Sequence, residues 1–432
     1  MTVGILRLSA RLSAIVLCGL AVAWTSGAYA QPKELSVWTM GGDQPGWQKW
    51  LDAIKANYEK NNPGQSVKIT YYDKNALLTA LRTSLRAGQG PDVIYTEPDQ
   101  IEFPDNGYFK PLENLVDWSK IEPWARGAWS RNGHTWGIPY SGYTNEIYYN
   151  KKLMNELGVT IPENGRVSQA QFLDILKKAK AAGMEPISLG TGDRPFTGAY
   201  LSFEPMLRKL GPDDYRKLLE GRLSYADPRV VEVLNFTRQI VDAGALPKSV
   251  ATMSLTDSYA YFFNRRSLLF PQGTWYSQRA FAPPERGGQP DGFELGIMTY
   301  PEMDKGACNN CKTLAISGGY AINADAKNSD GAAKFLKEVA QPEMGELWTV
   351  NNFSLSGILF DASKVAGKNA AYFQDLAKLK QDATFFIGIP LNYLSGECRE
   401  AFVQVINGGL PAGLVTVDDA VKRMNAACYK AS

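Results

Sequence analysis

Leu35-Ser36-Val37-Trp38-Thr39-Met40 is an apolar run of strand length, and Trp47, Trp50, Leu51, Ile54 and Tyr58 follow at helical spacing until Asn62-Pro63-Gly64 stops them. A second strand-like run covers residues 67–72. Leu77, Leu78, Leu81 and Leu85 then mark a second helix, ended by Gly88. Beyond Gly90-Pro91, Asp92-Val93-Ile94-Tyr95-Thr96 supplies a third strand. Strands alternating with helices in this order make a βαβαβ unit, which requires crossover helices on the faces of a parallel sheet.

The middle of the chain repeats that logic. Ser168 with Gln171 forms a capping box ahead of Phe172, Ile175, Leu176 and Ala179, and Gly183 ends the helix before a strand at 186–190. Asp227-Pro228 is an N-cap followed by proline at the first helical position, opening a helix that runs to Gly244. A second α/β domain follows from this. After Phe293 two strand-like runs, 294–300 and 313–323, precede helical stripes at 332–340 and 399–406 and a last helix begun by Thr416. No Pro/Gly/Ser-rich linker divides the halves, so the chain is expected to cross between lobes several times.

The N-terminus carries Arg7 and Arg11, an uncharged apolar run over 12–24 and Ala28-Tyr29-Ala30, the pattern of a secretory leader cut before Gln31. Cys18 is not preceded by a lipobox, since Leu17 stands where a small residue is needed. Removing the leader takes away two arginines and no acidic residue, which levels the 46 basic residues with the 44 acidic ones. A neutral chain gives no reason to expect nucleic acid or an anionic membrane as partner.

Four cysteines remain, and an oxidising compartment favours bridges Cys308 to Cys311 and Cys398 to Cys428. Half a zinc site or a redox pair are the other readings of Cys308-Asn309-Asn310-Cys311. His134 is the single histidine, which removes histidine triads and histidine metal clusters; it follows Asn132-Gly133, a hairpin-turn pair. Mechanisms built on paired carboxylates survive this filter.

Several segments resemble the extracytoplasmic solute-binding proteins of carbohydrate ABC importers, the group that includes maltose-binding protein. They are Gly90-Pro91-Asp92-Val93, Trp136-Gly137-Ile138-Pro139-Tyr140, Tyr148-Tyr149-Asn150-Lys151-Lys152-Leu153, Gly273-Thr274-Trp275 and Gly318-Gly319-Tyr320-Ala321-Ile322, in matching order over most of residues 35–350. The resemblance implies an α/β, two-lobe periplasmic-binding-protein fold, each lobe a mostly parallel sheet flanked by helices, joined by a multi-strand hinge. It places residues 31–142 and 313–350 in an N-terminal lobe and 143–312 with 351–432 in a C-terminal one. It implies a soluble periplasmic monomer without cofactor, metal or catalytic residue, partnered by the permease subunits of an importer.

A neutral sugar asks for amide and charged groups towards its hydroxyls and rings against its C–H faces. Ligands of open α/β sheets bind where parallel strands end. Loop position and resemblance together nominate Asp43, Gln44 and Trp47 after the first strand, although Asp43 also stands where it would cap the helix and Trp47 fits the core stripe. Glu97 and Asp99 follow the third strand, where the family's aromatic platform is replaced by Thr96 beside Tyr95. Tyr143 lies in the crossover, Trp275 at a strand end where the family stacks a ring on a pyranose, and Gly318, Gly319 and Tyr320 on the first lobe. Arg194 offers a fork that suits vicinal hydroxyls and equally carboxylate, sulfonate or phosphate, which keeps acidic or sulfonated sugars and glycerol phosphates open. The rival class is a secreted glycoside hydrolase in which Glu97 or Asp99 faces a carboxylate of the second lobe.

Overall fold

In a computed structural model of the chain, residues 33–98, 100–264, 267–284, 288–361, 365 and 370–430 are described; the expected leader, Cys18 and Asp99 lie outside them. The chain begins as expected: strand β1 (Lys33–Thr39), a helix Pro45–Asn61, β2 (Gln65–Tyr71), a helix Lys74–Arg86 and β3 (Val93–Thr96). β1 pairs in parallel with both β2 and β3. A small hairpin of β4 (Ser130–Arg131) and β5 (His134–Thr135) turns on Asn132 and Gly133, both at positive φ, and leaves His134 exposed beside Glu113.

Two long strands decide the architecture. β6 (Ile138–Asn150) is followed by β7 (Glu185–Ile187), β8 (Ser267–Gly273) and β9 (Leu295–Met298), and then comes β10 (Cys311–Ile322). β11 (Leu355–Ser356) and β12 (Thr384–Ile387) complete a ten-stranded sheet of order β2-β1-β3-β10-β6-β8-β7, with β12 beside β10, and β11 and β9 beside β6. The first half of β6 pairs with β10 and its second half with β8 and β9. β10 pairs in parallel with β12 at its start and antiparallel with β3 at its end. These two strands therefore run through both lobes, which explains the lack of a linker.

Each lobe has its own core. One cluster gathers Leu35, Trp50, Leu81, Tyr140, Tyr320 and Trp348, and it also takes Ile358. The other gathers Phe172, Leu207, Leu234, Leu269, Phe402 and Met424, with a smaller aromatic cluster around Tyr276 and Phe270. The capping box at Ser168 forms, Asp227 accepts from the Arg229 N–H, and Thr416 caps the last helix, Val417–Cys428. Disulfides join Cys308 to Cys311 and Cys398 to Cys428. The first ties the start of β10 to the loop before it, and that loop pairs through the Cys308 N–H with the Arg208 carbonyl.

Candidate functional site

The second lobe presents an aromatic corner where β8 ends. Thr274 is pinned to β6, its N–H donating to the Thr144 carbonyl at 2.8 Å and its hydroxyl accepting from the Thr144 N–H at 3.1 Å. Trp275 comes next, and its ring folds back over Gly273, where an added Cβ would lie 1.7 Å from the ring. Glycine is thus the residue that admits the ring there. Tyr143 meets Trp275 edge to face with ring centres 4.4 Å apart, and Phe196 approaches from a third side at 6.1 Å. All three rings keep part of their surface open.

On the first lobe Glu97 sits just beyond β3. It accepts from Lys74 at 2.7 Å and from the Tyr95 hydroxyl at 3.0 Å, and that hydroxyl lies 3.3 Å from the Ser317 carbonyl of β10. Burial, reinforced by the Glu97 charge, pushes the Tyr95 phenol well above its usual range, so it stays a neutral donor. β10 links the two sides, since Ala315 pairs with Tyr143 while Gly319 pairs with Thr96.

Three expectations are corrected by packing. Tyr320 is wholly buried, its hydroxyl 2.8 Å from Thr39 and accepting from Trp47, so its ring belongs to the first-lobe core. Trp47 is buried against Tyr95, Tyr140 and Trp348 and is core as well. Gly318 and Gly319 lie at a β-bulge, where a Cβ would come within 2.5 Å of the Tyr95 ring and of the Ile138 carbonyl respectively. Close packing, and no open backbone, is what these glycines provide.

Asp43 is exposed and makes no cap; the N-cap of the following helix is Gln44, without a side-chain bond. Thr96 is buried and bonded to Gln100, so no ring platform stands at that position. Arg194 is exposed, 3.6 Å from Asp193, and lines a separate pocket with Gln404, Asn407 and Arg423. It is not joined to Trp275, although Phe196, two positions further on, is.

Sequence reasoning missed a second feature. A pocket of 270 Å³ is walled by Pro98 and Ala128 of the first lobe, Ile316 of β10, and Arg216, Asn392 and Tyr393 of the second. The Arg216 guanidinium lies over the rings of Phe386 and Tyr393, 5.0 and 5.5 Å from their centres. No local motif marks it, because residues far apart in sequence meet only when β12 docks on β10.

Beneath both features the crossing strands carry buried charge. Lys312 of β10 donates to both oxygens of Glu146 on β6, at 2.9 and 2.8 Å, and Glu146 also accepts from Thr144. On the neighbouring positions Asn145 and the Thr313 N–H bond the buried Glu204 carboxyl, whose pKa burial raises. Among the described residues no group of three or more His, Cys, Asp or Glu side chains is placed to hold a metal ion.

Residues 41–346 match the model of the bacterial extracellular solute-binding protein family. The chain belongs to that family. Among relatives of this solute-binding protein, the multiple sugar-binding protein of Streptococcus mutans is 24% identical over 294 residues, 66% of this chain and 67% of the relative. Similar solved structures include RafE of Streptococcus pneumoniae, TM-score 0.71 at 20% identity, covering 92% of this chain and 98% of that one. A chitin oligosaccharide binding protein gives a TM-score of 0.73 at 17% identity, covering 91% and 97%. These likenesses establish the two-lobe fold. No helix among the described residues is long and apolar enough to cross a membrane.

Proposed function

We propose that this solute-binding protein captures a sugar or sugar derivative between its lobes and delivers it, chemically unchanged, to the permease subunits of an ABC importer. The observation that carries the reading is the corner of Tyr143 and Trp275, which puts open ring surface on a strand that runs through both lobes. Rings offer the C–H faces of a pyranose a partner, and Glu97 and Asp43 offer its hydroxyls acceptors. The names of the relatives, sugar-binding and oligosaccharide-binding proteins, support the same class.

In this reading residues 31–142 with 313–350, joined by β11 and Ile358 that pack on them, act as one jaw and the rest as the other, after removal of residues 1–30 and export to the periplasm as a monomer. A ligand that touches both jaws favours closure by what it gains over the open form. Capture then requires no catalytic residue or cofactor.

Thermal unfolding of the mature protein against mono-, di- and trisaccharides, sugar acids, sulfonated glycosides and glycerol phosphates tests the proposal, because a ligand of the native state raises the melting temperature by mass action. A large shift with one saccharide, recovered intact, is expected. No shift with any saccharide defeats the sugar reading, and conversion of a glycan to products replaces it with the hydrolase.

A further inference from the structure

The pocket at Arg216 carries information about the ligand's charge. Its walls come from both lobes and from β10, so a group seated there is gripped on closure. The walls mix the polar Arg216, Asn392 and Tyr393 with apolar side chains, and none of them is a carboxylate. The guanidinium is held in place by Phe386 and Tyr393, and it donates to the Tyr393 hydroxyl at 3.3 Å. That hydroxyl in turn donates to the Ile387 carbonyl at 2.7 Å. Among the described residues no carboxylate pairs with Arg216. The nearby Glu220 is taken by Arg222, and Asp214 by Lys217 and Arg229. Arg194, in contrast, has Asp193 beside it and stands in another pocket.

A guanidinium stacked on rings keeps its N–H edge free and pre-oriented, the arrangement that suits a planar carboxylate. One cation without a second in the pocket matches a monoanion better than a doubly charged phosphate. Arg216 is solvent-exposed, and the partly buried Pro98, Ile316 and Ile387 beside it offer apolar surface to a C–H face.

We infer that the inter-lobe pocket reads the carboxylate of an acidic sugar through Arg216, so that the captured ligand is a hexuronic acid or an oligosaccharide containing one. The inference rests on the sugar-capture reading. Two classes of contact then divide the work: the Tyr143 and Trp275 rings take a pyranose face, and Arg216 takes the acid.

Calorimetric titration of the mature protein with matched pairs tests it: glucuronic acid with glucose, galacturonic acid with galactose, digalacturonic acid with lactose. The acid of at least one pair is expected to bind roughly 10- to 100-fold more tightly than its neutral partner, the range of a charge-assisted bond. Raising the salt concentration should shrink that ratio. Arg216→Met, which keeps a side chain over the rings, should bring the ratio to about one. Arg216→Lys should restore part of it, while the unfolding temperature without ligand stays near that of the parent. Neutral sugars bound as well as or better than their acids overturn the inference and leave sugar capture standing. An acid preference that survives Arg216→Met overturns the assignment of the residue. Failure of every compound in both series overturns the inference together with the reading beneath it.

Discussion

Replacing Lys312 by Met tests how the strands that join the lobes are held. Lys312 and Glu146 are almost fully buried, facing each other across β10 and β6. The replacement leaves the Glu146 carboxylate with the Thr144 hydroxyl as its remaining bond in place of three. Removing one partner of a buried, hydrogen-bonded pair costs about 3–5 kcal/mol. For a cooperative unit of about 250 residues each kcal/mol lowers the melting temperature by ~2 °C, so a drop of about 6–10 °C is expected by scanning calorimetry. The double variant Lys312→Met, Glu146→Leu removes both charges and should return to within about 1 kcal/mol of the parent, since a buried pair contributes little net stability over an apolar one. A single variant that melts within about 2 °C of the parent, or a double variant as unstable as the single, would show that the buried pair does not hold the crossing strands in this way.

Three further outcomes follow from the same geometry. Gly273→Ala drives a methyl into the Trp275 ring and should weaken saccharide binding at least about tenfold, with unfolding little changed; titration of the variant checks it. Burial, opposed by Glu146 and aided by Lys312, brings the Lys380 amine down to about 7. Because the unfolded chain holds that proton up to about pH 10, the native state binds fewer protons between the two values and stability rises with pH there, by up to about 2 kcal/mol from pH 7 to 9. Denaturation at both pH values should show this rise in the parent and not in Lys380→Met. Glu97→Gln keeps a polar group beside Tyr95 but removes the acceptor charge and the Lys74 pair, so affinity for saccharide should fall while the loss of this pair, exposed on its Lys74 side, moves stability by less than about 1 kcal/mol; titration and melting together check it.

The first five elements were legible because their apolar spacing is local, and so were the capped helices, where Ser168, Asp227 and Thr416 bond backbone groups within three residues. The long helix Tyr200–Leu219 was not. It contains Pro205 and Pro212, and Gly211 at φ 75° breaks it into two segments, so its pattern reads as an interrupted one. The stripe at 399–406 was legible as helix, but a 3.6-residue pattern does not reveal that Phe402–Gly409 winds as a π-helix. At the site, Trp275 was nominated from a strand end and Tyr143 from the resemblance, and the fold brings their rings together. Tyr320 could not be told from a ligand ring, because its fate depends on Thr39 and Trp47 arriving across β3 and β10. Arg216 was invisible for the same reason: Phe386 and Tyr393, which hold it, reach it only through the sheet.

Capture as proposed holds a sugar ring against Trp275 between the lobes. Titrating the parent and Trp275→Ala with the saccharide that most raises the parent's melting temperature tests it most directly. A central buried aromatic contact contributes about 2–4 kcal/mol to binding, so the variant should bind at least about thirtyfold more weakly while melting, without ligand, near the parent. Equal affinity of the two proteins for that saccharide would show that no sugar ring rests on Trp275.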